Sequence, residues 1–450
     1  MGTPGADFRV RWTPERLTGW GRSSHSTCQV SDPDTVDEVV AALQESADTT
    51  LLARGAGRSY GDVALNGNGR VLRTIGMTAI YGFEPATGVI SVAPGVSFGQ
   101  LLRQFAPHGW IPPVTPGTQF ATIGGAIAND VHGKNHDTDG SFGDHLLWFD
   151  LALADGSVQR INVESSPELF AATVGGIGLT GIITRATFRM RRVPGPTLLV
   201  RERRLRDLEE YLDALAEARG LHHYSVGWID GVATGRRLGR GILETADHIE
   251  DKATGTARHT IRMPFDLPSR TINSMTVNLF NRLYYQRVPA RGRERRLDLE
   301  RFFYPLDAII DWNRMYGRAG FVQFQCVVPD AEARRAIRKL LERITASGRG
   351  SFLAVIKTLG RAGRGLLSFP RPGVTLALDF PRTPGIAEFL TSLHEVTLEH
   401  GGRIYLAKDS CVTARQFQQM YPRSAAFQAI LRKIDPSRRM RSDMSIRLQL

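Results

Sequence analysis

Three glycine-rich segments in the first 190 residues constrain this chain more than any other feature. The first is RGAGRSYGD, Arg54–Asp62, with three glycines in seven residues. Such spacing lets the backbone turn sharply and bring its N–H groups close to an anion such as a pyrophosphate. It lacks the GKS/T ending of a Walker A loop and the spacing of a Rossmann fingerprint, and an ordinary turn is the alternative. The second is PGTQFATIGGAIANDVHGKN, Pro116–Asn135, in which Thr122-Ile123-Gly124-Gly125 opens a helix. Free N–H groups there would suit a phosphate or ribose. The third, GGIGLTGII, Gly175–Ile183, is another close-approach segment and leads into a strand.

Around these segments short strands and helices alternate. Asp34 is placed to cap a helix with Val36, Val39, Val40 and Leu43 on one face. Strands are expected at Thr50 to Ala53 and Val89 to Val92, and a turn and helix follow, closed by Gly109. Asp155-Gly156 marks a hairpin. The breaker Pro194-Gly195-Pro196 ends the block, so domain boundaries are set at 1–194 and 195–402, with 403–450 returning to the first domain. Residues 255–300 show no sustained period, mix aromatics with arginine, and read as long loops, mobile or facing a membrane.

Beyond Gly320 the order is β-α-β-β-α. FVQFQCVVP alternates as a strand, with Gln323 and Gln325 on one face and Val322, Phe324, Cys326 and Val328 on the other. Asp330 is placed to cap a helix carrying Ile337, Leu340, Leu341 and Ile344. SFLAVIKTL and GVTLALDF follow as strands, the second with Thr375, Ala377 and Asp379 on one face. A helix from about Pro384 turns Ile386, Phe389, Leu390 and Leu393 inward. The expectation is an α+β fold whose mostly antiparallel sheet has helices on one face, the other being free to cover something. Paired amides such as Gln323 and Gln325 suit sugar hydroxyls, while a solvated edge strand would show the same pattern.

The chain has 450 residues, enough for two domains, and its composition is that of a globular protein. No run of about 18 apolar residues is present and the opening residues lack the apolar stretch of a secretory signal. A cytoplasmic location is therefore expected, with association at a membrane or in the cell envelope left open. Three scattered cysteines imply a reduced compartment and no metal site. The net charge of +12 is concentrated at Arg201 to Arg206 and Arg287 to Arg296. Such charge fits nucleic acid, anionic lipid, a phosphorylated substrate or a plain solvated surface.

Together RGAGRSYGD, PGTxxxTIGGAIAxDxHGKN, GSFGDH and GGIGLTGII resemble the FAD-binding (PCMH-type) domain of the vanillyl-alcohol-oxidase superfamily. Within it, RLTGWGR, PLDxxxxWNRxYGxAGFxQxQ, KDS and MYPR resemble the flavoprotein oxidases that act on decaprenylphosphoryl ribose. The resemblance spans nearly the whole chain and is weakest over 195–300. It implies a two-domain fold with an antiparallel-sheet substrate domain. It implies FAD contacts at Ala53, Arg54, Gly55, Ala56, Gly57, Arg58, Ser59, Tyr60, Gly61, Asp62 and Val63. The cofactor set extends to Gly117, Thr122, Ile123, Gly124, Gly125, His132, Gly133, Lys134, Asn135, Ile183 and Tyr405. It assigns catalysis to Lys408 and His132 and the sugar pocket to Tyr60, Lys134, Gln323, Gln325, Lys357, Thr375, Ala377 and Lys408.

Many superfamily members attach flavin through a histidine in the first loop; Arg58 stands there, and no cysteine lies near the second loop, so FAD is expected to be non-covalent. Ala377, Thr375 and Phe303 stand where relatives carry Cys, Asn and Tyr. The implied reaction oxidises the 2′-hydroxyl of a polyprenylphosphoryl-β-D-ribose to a 2′-keto sugar. An NAD(P)H-dependent ketoreductase partner would complete epimerisation to the arabinose donor for cell-wall arabinan. Contact with an anionic membrane is expected and nucleic acid is not. The rivals are an oxidase of a soluble sugar, alditol or glycoside on the same fold, and a non-catalytic basic nucleic-acid or lipid binder.

Overall fold

The computed structural model describes residues 10–250, 260–268 and 271–450. The opening residues 1–9 and part of the 255–300 stretch thus lie outside the described residues. Residues 13–189 build two sheets. In one, strand Thr13–Thr18 runs antiparallel to His25–Ser31, which then pairs in parallel with Arg70–Arg73, and that with Leu51–Arg54. In the other, Ile80–Glu84, Val89–Val92, Ile182–Arg189, Leu146–Ala152 and Val158–Ile161 lie side by side, all antiparallel. The Asp155-Gly156 hairpin joins the last two strands, with Gly156 at φ 87°. Helix Val36–Glu45 buries Val39, Ala42 and Leu43 as its apolar spacing dictates, but its cap is Thr35 rather than Asp34. Thr35 and Glu38 form a capping box that satisfies two terminal N–H groups at once, which Asp34 is one residue too early to do.

From Thr197 onward one eight-stranded sheet dominates. Its order is Arg293–Asp298, Thr197–Leu205, Gly241–Ile249, Tyr224–Ile229, Ala354–Leu359, Gly373–Pro381, Phe321–Val328 and Arg403–Ile404. Every neighbouring pair is antiparallel. Helices Leu208–Ala218, Ala333–Ala346 and Ile386–Glu399 cover one face. There Val322, Phe324, Cys326, Leu376 and Leu378 pack with Ile337, Leu340, Leu341, Ile344 and Leu393 in one core, so alternation along the strand holds. Asp330 does not cap the helix after it. It lies in a 3-10 turn, and its carboxylate meets Arg219 at 2.9 Å.

Residues 255–300 are not simply loops. Asn273 caps a thirteen-residue helix, Ser274–Gln286, and Arg293–Asp298 is the sheet's edge strand. That pairing sets the two arginine runs side by side, because Arg293–Asp298 runs against Thr197–Leu205. Buried Glu202 receives Arg287, Arg293 and Arg295; Glu244 also pairs with Arg287, and Glu294 with Arg201. Much of the basic charge is therefore matched within the sheet rather than gathered for an external polyanion.

The end of the chain returns to the first glycine segment. Arg447 makes a two-pronged contact with Asp62, both distances 2.8 Å, and lies 2.9 Å from Asp409. Asp443 accepts the Gly67 N–H, the Leu51 N–H donates to Arg439 O, and the Arg441 N–H donates to Leu51 O. No helix among the described residues is long and apolar enough to cross a membrane.

Candidate active site

The strand Leu51–Arg54 delivers the first glycine loop. Arg54 turns back and donates to the carbonyls of Ala64 at 2.8 Å and Thr18 at 2.7 Å, stapling the two ends of the loop. Gly57 takes φ 64°, and a Cβ there would sit 2.4 Å from Arg54 Nη2, so only glycine fits. The N–H groups of Ala56, Gly57, Arg58 and Ser59 meet no acceptor among the described residues. These four unpaired donors suit an anion such as a pyrophosphate. Within the expected cofactor run, Arg54, Asp62 and Val63 commit their side chains elsewhere: to the staple, to Arg447 and to the core respectively. The Arg58 guanidinium stacks between Trp20 at 4.1 Å and Phe120 at 4.5 Å, with its buried Nε unpartnered.

Thr122 caps the short helix Ile123–Ala128. The expected free N–H groups are not free. Ile123 donates to Val96 O, Gly124 to Pro94 O and Gly125 to the Thr122 hydroxyl. A preceding turn folds against the helix end and takes them, and a Cβ on Gly124 would strike Pro94 at 2.9 Å. What this segment offers is close approach: a Cβ on Gly55 would lie 2.4 Å from Thr122 Oγ1, so the first two glycine segments touch. Gly117 faces open space, and buried Asn129 Oδ1 has no partner. The third segment joins through Gly175 N–H to Ile127 O and Ile177 N–H to Ala128 O. Ile183 is buried in the five-stranded sheet. Asn135 donates to Pro113 O and Asp139, a structural commitment. The unpaired donors, the glycine-lined contact and the orphaned Asn129 oxygen fit a dinucleotide such as FAD.

Beside this cradle lies the buried, polar face of the eight-stranded sheet, opposite its helices. Register sets Gln323 opposite Asp379, Gln325 opposite Ala377, and Thr375 opposite Lys357, all on that face. Lys357 Nζ donates to Gly133 O at 2.8 Å and lies 2.8 Å from His132 Nδ1. Gln325 Nε2 is 3.3 Å from His132 Nε2 and 3.4 Å from Thr375 Oγ1. Tyr405 stacks on Phe369 at 4.6 Å, lies 5.5 Å from His132, and donates to Asn129 O. Lys408 Nζ stands 3.7 Å from the Tyr60 ring centre, and Tyr60 N–H donates to Ala407 O. Lys134 sits apart from this group, bonded to Phe302 O with its ammonium over the Phe302 ring. Phe303 is buried against Tyr224 and Phe302.

Burial shapes the charges. It pushes Lys357 down to about 7, helped by Lys134, and lowers Lys134 to about 8. His132 is held well below the ordinary imidazole range by burial and then by Lys357. Lys408 is lowered by burial, with Asp379 pulling the other way.

Asp379 also stands on this face, although the resemblance gave it no role. It is fully buried, accepts from Gln323, leaves Oδ2 unpartnered, and burial raises its carboxyl well above the usual range. Its alternation with Thr375 and Ala377 was the available signal. Tyr316, stacked on Phe321 with its hydroxyl unpartnered, gave none. The three cysteines are free. His394, Asp409 and Cys411 do bring ligand atoms within 4.8 Å of one another, although their spacing announced nothing; Arg447 already supplies the counter-charge to Asp409.

An FAD-binding-domain family model matches residues 29–162, and a D-arabinono-1,4-lactone oxidase model matches residues 373–448. The decaprenylphosphoryl-beta-D-ribose oxidase of Mycolicibacterium smegmatis is 38% identical over 97% of this chain and 98% of its own length. An uncharacterised Streptomyces coelicolor protein is 32% identical over 79% of this chain and all of its own. A Streptomyces alditol oxidase is 25% identical over 38% of this chain and 41% of its own, a more distant relationship. The protein is an FAD-dependent oxidoreductase of α+β, PCMH-type fold. With likeness to one relative running from end to end and the glycine cradle in place, the chain belongs to the decaprenylphosphoryl-beta-D-ribose oxidase family of flavoproteins.

Proposed function

We propose that this enzyme oxidises the 2′-hydroxyl of a polyprenylphosphoryl-β-D-ribose to the 2′-keto sugar, with FAD held non-covalently. The observation that carries the proposal is the polar face beside the cradle. Gln325, Thr375 and Lys408 stand there together with Tyr60, in a chain related over 97% of its length to an oxidase named for this sugar. Bound FAD would accept the hydride from C2′, and the hydroxyl proton must leave as the C=O bond forms. Lys408 stabilises the developing alkoxide, and Asp379 in its ionised carboxylate form, electrostatically linked to Lys408, takes the hydroxyl proton and becomes the carboxylic acid. Gln325 and Thr375 offer donors and acceptors to the remaining hydroxyls. His132, kept neutral, is oriented by Lys357 on one side and Gln325 on the other. Arg58 occupies the position used for histidine attachment and is stacked between two aromatic rings, where it cannot form that bond.

In this reading residues 1–194 and 403–450 hold the cofactor and 195–402 the sugar. The Arg447 to Asp62 contact favours grouping the tail with the first part. The keto product requires a separate enzyme that delivers hydride from NAD(P)H to give the arabinose configuration.

Anaerobic titration tests the proposal. Polyprenylphosphoryl ribose should bleach the flavin absorbance, and free pentoses or alditols should not. Lys408→Met should keep the flavin but slow bleaching by about 10²–10³-fold, as for loss of one transition-state contact. Bleaching by free alditols instead would favour the soluble-sugar rival.

A further inference from the structure

Helix Ser274–Gln286 is amphipathic the wrong way round for a protein interior. Its buried positions are Val277 and Asn281, and Asn281 is tied to Asp230 at 2.8 Å and to Ser351 O at 3.2 Å. Its outward stripe is Met275, Leu279 and Leu283, exposed by 75%, 59% and 60%, with Phe280 alongside. Ile261 and Phe265 of the neighbouring segment are as exposed. Half of the exposed large hydrophobic residues among those described fall in this one region.

Its charge is one-sided. Residues 271–291 contain no aspartate or glutamate; Arg282 and Arg291 are exposed there, while Arg287 is tied to Glu202 and Glu244. Asp266, the single acid between 260 and 268, is neutralised by Arg22 at 2.6 Å. An apolar stripe with cationic flanks and no acids is complementary to the surface of an anionic bilayer. A protein partner would more commonly meet a patch with both signs of charge.

The patch also connects to the site. Phe280 packs on Phe352 at 5.6 Å, Phe352 stacks on Tyr316 at 5.7 Å, and Tyr316 on Phe321 at 4.2 Å. Phe321 meets Tyr60 at 5.3 Å, and Lys408 lies over Tyr60. A continuous row of rings thus runs from the exposed stripe to the candidate catalytic lysine.

We propose that helix Ser274–Gln286, with Ile261 and Phe265, seats the enzyme on an anionic phospholipid surface, the ring row guiding a polyprenyl chain from that surface towards Lys408. The guiding role rests on the substrate proposed above; the seating does not. The test uses the full flavin-loaded chain. It should co-sediment with vesicles of phosphatidylcholine and phosphatidylglycerol at least tenfold better than with phosphatidylcholine alone, less so at high salt. The double variant Leu279→Glu/Leu283→Glu should lose this tenfold while keeping its flavin and melting temperature. An environment-sensitive dye on Leu279→Cys should shift to the blue on those vesicles, as insertion requires. The double variant should bleach at the wild-type rate with a short, soluble prenylphosphoryl ribose and at least tenfold more slowly with a long-chain substrate embedded in vesicles. Wild-type protein that ignores both vesicle types, an unshifted dye, or a double variant that sediments like wild type overturns the seating. Equal slowing with both substrates overturns the guiding role. Failure of every ribose substrate to bleach wild type would sink the substrate proposal while leaving the sedimentation result to stand alone.

Discussion

The ammonium of Lys357 lies 2.8 Å from Nδ1 of His132 and on its other side donates to Gly133 O. A strand of the large sheet thereby fixes an imidazole carried by the second glycine segment, across the boundary between the two halves of the chain. With Nδ1 accepting from the ammonium, the ring proton sits on Nε2, and the Gln325 amide must turn its oxygen towards it.

Lys357, Lys134 and Lys408 are all lowered by burial, two of them to about 7 and about 8. Each keeps its proton in the unfolded chain up to its ordinary value near 10.5. Between about pH 7 and that value the unfolded state binds more protons, so stability rises with pH. The apoprotein should therefore melt at a higher temperature at pH 9 than at pH 7.5, and Lys357→Met should flatten the rise. A melting temperature that falls over this interval contradicts the burial of these ammonium groups.

Gln323 donates to Asp379, whose other oxygen is already unpartnered. Gln323→Leu leaves that buried carboxylate with still less support and should cost about 1–3 kcal/mol, measured by denaturant unfolding. Gln325→Leu should cost less stability and more sugar affinity, because its partners His132 and Thr375 keep other contacts or the cleft. Equal and negligible losses from both would show that the sheet face is solvated.

Burial pushes the Cys326 thiol up to about 12, and those of Cys28 and Cys411 upward too, so the native protein should resist thiol-directed reagents. Ala377 is half-buried on the polar sheet face opposite Gln325. Ala377→Cys should take up one adduct of a pocket-seeking electrophile in intact-protein mass spectrometry. Labelling of the unmodified chain would locate a reactive thiol that the fold does not provide.

Acid precipitation should release all of the yellow chromophore into the supernatant, because Arg58 takes the usual attachment position. Flavin that stays with the pellet would require another attachment residue.

The sheet face was legible because FVQFQCVVP and GVTLALDF alternate cleanly, and residues two apart must then share a side. Helix Ser274–Gln286 was not, because periodicity is a sign of a buried apolar stripe and here Met275, Leu279 and Leu283 point outward around a buried Asn281. The helix caps failed on single-residue geometry, Thr35 against Asp34. The helix-end donors failed because Pro94 and Val96, distant in sequence, consume them. The pairing of Lys357 with His132 joins residues far apart in the chain. Only the resemblance pointed to the Lys357–His132 pairing, whereas the glycine spacing of Arg54–Asp62 had already marked the cradle.

The Arg447 guanidinium that grips Asp62 has a consequence for the order of events in synthesis. Translation runs from the amino end, so the loop carrying Gly55 and Gly57 emerges some four hundred residues before the side chain that braces it. A nascent chain from which Arg447 has yet to emerge holds the loop with Asp62 unclamped. Vitamin supply in the cell would thus be met late: the nucleotide should be captured once Arg447 has joined the fold rather than before.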